Sequence, residues 1–400
     1  MRETSRRPQA VIMLLAACVA MTFVGETMPY PVLAPWLTSK GMHLGMLGWL
    51  SFAFSLGNLI GAPIAGGLVD RWGRKPMLLI GLLSIVINNL AIPFYDSFLV
   101  YVVLRFVLGL GVAGVMPAAI ASTADLAPVE ERAKWIGFVT GGISVGLIIG
   151  PTVGGVLYDA AGFAAPFYVS AALAAVALVL VQLSVPETRS SVTTHEAAAH
   201  VSMWEVLRHP PRPLALLGLL LWVDFLWVCS WVATEPAMLS HLYNAQHYTA
   251  TMFGVVVAVF GLATTVTQFV AGGLSDRYGR LPLIAAGMLL NIAWYLGVAS
   301  FDTYWQVLCC SVVSGIGAGL VTPALGAAYI DMTDPSQRGR VAALKEMIVA
   351  VGGMLGPLSS IYLTSAYAPV SVLQVAGVLI LATAVVVTLR VPAYRTVPTP

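Results

Sequence analysis

Three carboxyl groups lie inside long apolar stretches of the sequence, where an ionised side chain is costly: Glu26, Asp224 and Glu235. A carboxyl group withdrawn from water keeps its proton more readily and can take up and release it near neutral pH. The same group can neutralise a bound cation. A group that holds either a proton or a cation, but not both, can exchange one for the other. These three acids are therefore the candidate proton- and cation-binding residues.

The depth of each acid follows from its position along a helix. The depth is counted from the cytoplasmic start of each acid's own apolar stretch, at about 1.5 Å per residue. It is ~17 Å for Asp224, ~24 Å for Glu26 and ~33 Å for Glu235. This places Asp224 near the middle of a membrane. Asp224 and Glu235 are three helical turns apart and share a face. Pro29, with the proline two residues after it, predicts a kink near Glu26.

Each acid also has a simpler interpretation. Asp224 could be a buried structural hydrogen-bond partner, and Glu235 could line a water-filled vestibule. Glu26 could form an ion pair with Arg105, the cation that falls inside an apolar stretch at similar depth. The equivalent of Arg105 in the second half of the chain is Ser311, so the duplication described below does not require an arginine. This favours a role of Arg105 in proton or substrate handling over structural pairing.

Aromatic side chains near these acids are candidates for the wall of a cavity. Most tryptophans in membrane helices lie at the lipid–water interface or face lipid, so few of them are expected to line a cavity. Trp227 and Trp231 share the seventh apolar stretch with Asp224 and Glu235. Tyr30 follows Glu26 by four residues in the first stretch.

The elements that position these residues must be membrane-spanning helices. Hydrophobic residues make up 58% of the chain and charged residues only 10%, whereas a soluble domain carries about 25% charged residues. Backbone groups find no hydrogen-bond partners in lipid, so helices are expected. Twelve apolar stretches are long enough to cross a ~30 Å hydrocarbon core: 10–38, 44–69, 77–95, 98–123, 135–158, 164–186, 213–241, 248–275, 282–300, 303–330, 340–363 and 370–391.

A duplicated segment divides these helices into two halves. The run Gly66–Pro76 recurs 206 residues later as Gly272–Pro282, and the same offset relates Asp125 to Asp331. Parallel repeats of this size are typical of two-halved transporters. The sequence predicts an all-α integral membrane protein with twelve transmembrane helices in two pseudo-symmetric six-helix halves. The predicted boundaries are 1–186 for the first half, 187–212 for a cytoplasmic linker, and 213–400 for the second half with a short tail.

Basic residues set the expected orientation. With the N-terminus in the cytoplasm, nearly every Lys and Arg falls in a cytoplasmic segment, and the outer segments carry only Lys40. Both termini are therefore predicted to be cytoplasmic. The linker is interpreted as a plain connection, with the alternative that Met203–Leu207 forms a short amphipathic segment on the membrane surface. The first apolar stretch is too long for a cleaved signal peptide.

The sequence contains no pattern for metal or covalent chemistry. The four cysteines lie within apolar stretches without ligand spacing, and no His/Asp/Ser arrangement indicates an enzyme. The net charge of +2 comes from loop residues and does not indicate nucleic-acid binding. We expect no catalytic residue, no metal, no nucleic-acid partner and no enzymatic activity.

The repeated run resembles the loop signature of the major facilitator superfamily, and the resemblance covers essentially the whole chain. In that family, acidic and basic residues of this region form a charge network that latches the cytoplasmic side shut. The alternative is that the basic residues only anchor the topology. The residues implied are Asp70, Arg71, Arg74, Asp125 and Arg132 in the first half, and Asp276, Arg277, Arg280, Asp331 and Arg338 in the second.

Two further motifs resemble those of the same family. Leu104–Gly111 is similar to its fourth-helix motif, in which an arginine, here Arg105, precedes a glycine-rich face, although Leu108 stands where a glutamine is often found. On the fifth helix, Gly142–Gly155 is similar to a motif that marks the antiporter branch, including drug:proton exporters. The alternative interpretation is that these glycines only allow close helix packing and mark no transporter branch. The residues implied are Gly142, Gly146, Gly150, Pro151, Gly154 and Gly155.

The resemblance implies a proton-coupled antiporter that exports small amphipathic compounds, drug-like and neutral or cationic, across a prokaryotic inner membrane by alternating access. Its partners would be a small-molecule substrate and the lipid bilayer, and it would act as a monomer without a cofactor, with the proton as coupling ion. The alternative in the same fold is a proton-coupled exporter or importer of one specific metabolite, such as a sugar or an amino acid. A membrane enzyme and a transporter-like receptor are the alternatives from other classes.

Overall fold

A computed structural model describes residues 8–188, 214–333 and 338–394 of the chain. Within these ranges the backbone is almost entirely helical and contains no β-strand. Twelve helical segments of the described ranges are long and apolar enough to cross a membrane. The predicted all-α membrane fold and the predicted number of spans are confirmed. Most of the predicted linker lies outside the described residues, including the proposed amphipathic segment Met203–Leu207.

The helices pack as two compact units. The first unit comprises residues 1–192 and 248–258. Its helices are α1 (Pro8–Thr27), α2 (Leu33–Ser39), α3 (Leu47–Trp72), α4 (Arg74–Ala91), α5 (Phe98–Val112), α6 (Val115–Leu126), α7 (Arg132–Thr140), α8 (Gly142–Ala161) and α9 (Ala164–Ser184). A buried core lies among α1, α4, α6 and α9, with Ile12, Leu15, Leu82 and Ala118 at its centre.

The second unit comprises residues 193–247 and 259–400. One of its helices, Ala250–Tyr278, begins in the first unit and continues into the second. The helices are α10 (Leu214–Ser240), α11 (Ala250–Tyr278), α12 (Arg280–Ser300), α13 (Tyr304–Asp331), α14 (Arg338–Ala366) and α15 (Pro369–Tyr394).

Some predicted stretches consist of two helices. The first stretch is interrupted after Thr27, because Pro29 has no N–H to donate to the carbonyl of Gly25, four residues earlier. A 3-10 turn at Tyr30–Val32 then leads into α2. The fifth stretch is divided at Gly141, between α7 and α8. The kink that the sequence predicts near Glu26 is thus present.

Glycines form the tight turns of the duplicated run. Gly73 connects α3 to α4 with φ +106°, and Gly279 connects α11 to α12 with φ +95°. Residues with a Cβ rarely adopt this conformation, so glycine is needed at both turns. The two turns bring the charged residues that flank them to the ends of neighbouring helices.

Candidate functional site

Asp224 is buried in the second unit and accepts a hydrogen bond from a tyrosine. The residue lies on α10 and is 8% exposed. The Oη of Tyr329 on α13 donates to Asp224 Oδ2 at 2.7 Å, and Tyr329 is itself buried. A hydroxyl can donate to a carboxylate or to the carbonyl oxygen of a protonated acid, so the contact is compatible with both states of Asp224.

Two charged residues of α14 lie close enough to influence Asp224. Lys345 and Glu346 both act electrostatically on its carboxyl group, and Lys345 Nζ lies 3.5 Å from Glu346 Oε1. Neither residue was predicted for the site. Glu346 falls inside the predicted stretch 340–363 and could have been recognised from the sequence as a further membrane acid. Nothing in the sequence places either residue beside Asp224.

The partner of Asp224 lies near the end of its own helix. Tyr329 precedes the last residue of α13, Asp331, by only two positions. We call the ends of the two units that carry Arg74 and Arg280 their basic ends. The hydrogen bond therefore joins α10 to the part of α13 near the basic end of the second unit.

Glu26 lies in the first unit, one residue before the end of α1, and is partly exposed. Arg105 of α5 acts electrostatically on it. The ion pair of Glu26 with Arg105 stays a prediction. It does not conflict with proton binding, because an arginine beside an acid can be released when the acid becomes neutral.

Glu235 is partly exposed on α10, immediately before Pro236 inside the helix. It shares this helix with Asp224. Eleven residues separate the two acids along the sequence, which corresponds to ~16 Å along a helix. The two carboxyl groups of α10 therefore do not form one cluster.

The predicted aromatic residues pack against rings that were not predicted. In the first unit, Tyr30 lies against Phe253, with ring centroids 5.8 Å apart. In the second unit, Trp231 stacks on Phe260 at 5.4 Å and on Trp294 at 5.8 Å. Trp294 is fully buried, so Trp231 belongs at least in part to the core of its unit.

Trp227 lies one helical turn from Trp231 on α10 and is partly exposed. The cluster around Trp231 depends on helices distant in sequence, α11 and α12. That is why the pattern of α10 alone did not indicate it.

At the basic end of the second unit, Arg280 joins two carboxylates. Its Nε lies 2.8 Å from Asp331 Oδ2, and its Nη1 bonds to Asp276 Oδ1 and, at 3.0 Å, to Ser275 Oγ. The Arg280 side chain is only 18% exposed. The arginine therefore ties the start of α12 to the ends of α11 and α13.

Replacing Arg280 with alanine is expected to lower the unfolding free energy by about 2 kcal/mol, since hydrogen bonds to charged groups contribute roughly 1.5–3 kcal/mol and these are partly solvated. The measurement is thermal unfolding of the purified protein. The matched control is Arg277→Ala, because Arg277 is exposed and lies over the Tyr278 ring at 5.4 Å. Equal shifts for the two variants would contradict the expectation.

The basic end of the first unit is built differently. Arg74 Nε lies 3.3 Å from Asp125 Oδ2, and the Glu187 carboxylate accepts from the backbone N–H groups of Arg74 at 3.0 Å and Lys75 at 3.1 Å. A Cβ on Gly73 would collide with this carboxylate. Glu187 thus caps the N-terminus of α4, a role that its predicted place in the linker did not indicate.

Replacing Glu187 with alanine is expected to lower the unfolding free energy by about 1 kcal/mol. The first N–H groups of α4 would lose their hydrogen-bond acceptor, and the N-terminus of the helix would lose a favourable negative charge. Hydrogen–deuterium exchange at the start of α4 is the measurement, and it should become faster. Glu130, an exposed acid of the first unit, provides the control substitution. An unchanged exchange rate at the start of α4 in Glu187→Ala would show that the Glu187 cap does not stabilise this helix.

The remaining predicted latch residues are described here only by their exposure. Arg71, Arg132 and Arg277 are exposed. The side chains of Asp70 and Arg338 lie outside the described residues.

The glycines of the fifth-helix motif let α8 approach α1 closely. A Cβ on Gly142, Gly146, Gly150 or Gly154 would meet, in that order, Ala20, Phe23, Thr27 and Met28 of the first stretch. These glycines are spaced by four residues, so they form a groove along one face of α8. Thr27 Oγ1 also donates to the Gly146 carbonyl at 2.8 Å.

The other side of the motif contacts the first turns of α11. A Cβ on Gly155 would meet the Ala250 carbonyl. Thr152 Oγ1 donates to the Gly254 carbonyl at 3.1 Å, and Asp159 Oδ2 accepts from the Thr251 backbone N–H at 2.9 Å. The motif is therefore packed against backbone on two sides. Pro151, inside α8, is buried.

A sequence profile of the Major Facilitator Superfamily matches residues 15–235 and 225–400, which together cover nearly all of the chain. The chain belongs to this superfamily. Its members are transport proteins and not enzymes, so the protein is a multi-pass membrane transporter of small molecules, and the prediction that it is not an enzyme is confirmed.

Similar proteins of this superfamily include several drug-resistance proteins. Multidrug resistance protein 2 of Bacillus subtilis is 26% identical over 365 residues, covering 89% of both chains. Quinolone resistance protein NorA of Staphylococcus aureus is 24% identical over 355 residues, covering 87% of this chain and 88% of that protein. Tetracycline resistance protein, class H, of Pasteurella multocida is 26% identical over 355 residues, covering 87% of each.

Solved structures support the fold. A bacterial homologue of the human lysosomal transporter Spinster, inward-facing and unoccupied, superposes with a TM-score of 0.78 at 17% identity and 96% coverage of both chains. A mutant form of the nucleoside transporter NupG gives a TM-score of 0.74 at 11% identity, covering 96% of this chain and 99% of that one. At these identities the likeness concerns the fold alone.

Proposed function

We propose that this transporter is a proton-coupled antiporter that exports small amphipathic compounds, drug-like and neutral or cationic, by alternating access. The observation that carries the proposal is the buried Asp224. An acid in a membrane-spanning helix is costly and is therefore a functional candidate, and here its described hydrogen bond comes from a neutral hydroxyl. The names of the similar drug-resistance proteins support the substrate class.

In the proposed cycle, Asp224 holds either a proton or the cationic group of a substrate. Binding of the substrate cation releases the proton, and return of a proton from the other side of the membrane releases the substrate. Glu26 would do the same in the first unit, with Arg105 as its counter-charge. Glu235, Tyr30, Trp227 and Trp231 are proposed to line the substrate path, and no cofactor is needed because the proton itself is the coupling ion.

The ion pairs of the basic ends are proposed to act as cytoplasmic gates. Arg74 with Asp125 and Arg280 with Asp331 hold helix ends together inside each unit. The excess of basic residues on this side supports a cytoplasmic location of both basic ends and both termini. We further propose that the protein resides in a bacterial inner membrane, acts as a monomer and is organised as a half of residues 1–186, a linker of 187–212 and a half of 213–400.

The proposal is tested in inverted membrane vesicles with an imposed pH gradient. Lipophilic cations and neutral drugs are added one at a time, and collapse of the gradient is followed with a pH-sensitive dye. Vesicles that contain the protein should lose the gradient with some of these compounds, and vesicles without it should not. If no compound collapses the gradient although the protein is folded, the proposal that it exports drug-like compounds is wrong. A carrier of one specific metabolite then becomes the better hypothesis.

A further inference from the structure

Two glycines mark the face of α14 that packs against α10. A Cβ on Gly352 would meet the Phe225 carbonyl oxygen at 3.1 Å, and a Cβ on Gly356 would meet the Cys229 carbonyl oxygen at 3.0 Å. The two contacts are one helical turn apart, and the residue numbers rise together along both helices. The two helices therefore run in the same direction and lie close together beside Asp224, the residue before Phe225.

Lys345 and Glu346 lie on this side of α14, two turns before the glycines. Lys345 precedes Gly352 by seven residues, and Glu346 precedes Gly353 by seven residues. Seven residues are almost two turns of a helix, so each charged residue shares a face with its glycine. A Cβ on Gly353 would lie 4.0 Å from Val228 Cγ1 of α10. Both charged residues therefore follow the surface of α14 that faces α10.

The register of the two helices sets the distance of these charges from Asp224. Asp224 precedes Val228 by one turn, whereas Glu346 lies two turns before the residue that faces Val228. The backbones of Asp224 and Glu346 thus differ in level by about one turn, or roughly 5 Å. The flexible four-carbon stem of Lys345 can span such a step. In agreement with this register, Lys345 and Glu346 both act electrostatically on the carboxyl group of Asp224.

The ammonium group of Lys345 is paired with Glu346 in this structure. Lys345 Nζ lies 3.5 Å from Glu346 Oε1, and the side chains are 33% and 71% exposed, respectively. An ion pair with such an exposed carboxylate contributes little free energy, so it does not hold the lysine firmly. Lys345 therefore lies near two carboxylates of the second unit, an exposed one and the buried one of Asp224.

Asp224 benefits from a nearby positive charge only while it is ionised. A buried carboxylate without a counter-charge is strongly unfavourable, and the Tyr329 hydroxyl supplies a hydrogen bond but no charge. Once a proton or a substrate cation neutralises Asp224, the same lysine is no longer needed there. Glu346, the next residue on α14, can then accept the ammonium group.

We propose that Lys345 is a specificity-determining residue that competes with substrate cations for Asp224. Its ammonium group lies toward Asp224 while this acid is ionised and no cation is bound, and it shifts to Glu346 when a proton or a substrate cation takes its place. A cationic compound must displace the lysine, whereas a neutral compound need not. This inference rests on the proposed exchange at Asp224 and adds the residue that sets the preference between cationic and neutral substrates.

The test compares the binding of two probes of related shape, the cation tetraphenylphosphonium and the neutral triphenylphosphine oxide. Dissociation constants are measured with the purified wild type and Lys345→Gln. The variant should bind the cation about threefold or more tightly, because a competing unit charge has been removed, and it should bind the neutral probe unchanged. Lys345→Arg keeps the positive charge and should bind both probes like the wild type.

Glu346→Gln should act in the opposite direction. Without the second carboxylate the lysine stays near Asp224, so tetraphenylphosphonium should bind more weakly. This weakening should disappear when Lys345→Gln is added, because Glu346 acts through the lysine. If Glu346→Gln weakens cation binding equally with and without Lys345, the inference is wrong. Glu346 is exposed, so this variant provides the test even if Lys345→Gln does not fold.

The matched control is Lys134→Gln in the first unit. Lys134 is an exposed lysine whose Nζ lies 3.8 Å from Glu131 Oε1, and its replacement should change the binding of neither probe. If Lys345→Gln changes the binding of both probes by the same factor, or of neither, Lys345 does not determine specificity. A failure of the proposed antiport appears instead as a wild-type protein that binds tetraphenylphosphonium without moving protons.

Discussion

Asp224→Asn is expected to reduce substrate-driven proton movement to the level of vesicles that lack the protein. Asparagine has nearly the same shape as aspartate and offers an oxygen to the hydroxyl of Tyr329, so the packing of α10 against α13 should be retained. The side chain can no longer bind a proton or neutralise a cation. Loss of coupling in a folded variant is therefore the expected combination.

The matched control for this variant is Asp302→Asn. Asp302 is an exposed acid between α12 and α13, and the chemical change is the same. It should transport like the wild type. If Asp224→Asn keeps wild-type coupling while its thermal unfolding is unchanged, Asp224 is a structural hydrogen-bond partner, and the proton site must be sought at Glu26 or Glu235.

Gly154→Ala is expected to disrupt the first unit. The added Cβ would overlap the backbone carbonyl of Met28, and a backbone atom cannot rotate away as a side chain can. Overpacking of a core costs roughly 1–3 kcal/mol even where side chains can adjust. Thermal unfolding should therefore occur at a temperature several degrees lower, and transport should be largely lost because the chain around Met28 can no longer lie in the glycine groove of α8.

The control for the glycine variant lies in the same transmembrane stretch. A Cβ on Gly137 of α7 would have nothing within 4 Å, and alanine is favoured over glycine inside a helix by about 1 kcal/mol. Gly137→Ala should leave stability unchanged or slightly raised. A Gly154→Ala protein as stable as Gly137→Ala would show that α8 and α1 are not closely packed there.

Much of the fold could be predicted from the sequence, because membrane helices are encoded locally. Lipid requires each span to satisfy its own backbone hydrogen bonds, so a long apolar stretch is almost sufficient evidence of a helix. The repeated run gave the duplication directly. One position-specific detail also followed from a single residue, the end of α1 before Pro29.

The partners of the candidate site could not be predicted in the same way. Tyr329 lies 105 residues from Asp224, and no local pattern relates them. Glu187 caps α4 from a position more than a hundred residues away, at the border of a predicted linker. Such contacts depend on how helices pack, which a hydropathy pattern does not specify.

The central claim is that one acid exchanges a proton for a substrate, and proton release on substrate binding tests it most directly. Purified protein in a weakly buffered solution is mixed with a compound that it transports, and the pH change is recorded for the wild type and Asp224→Asn. The account predicts clearly less proton release by the variant than by the wild type at saturating substrate, because only Glu26 is left to exchange its proton. Equal release by both proteins would contradict it.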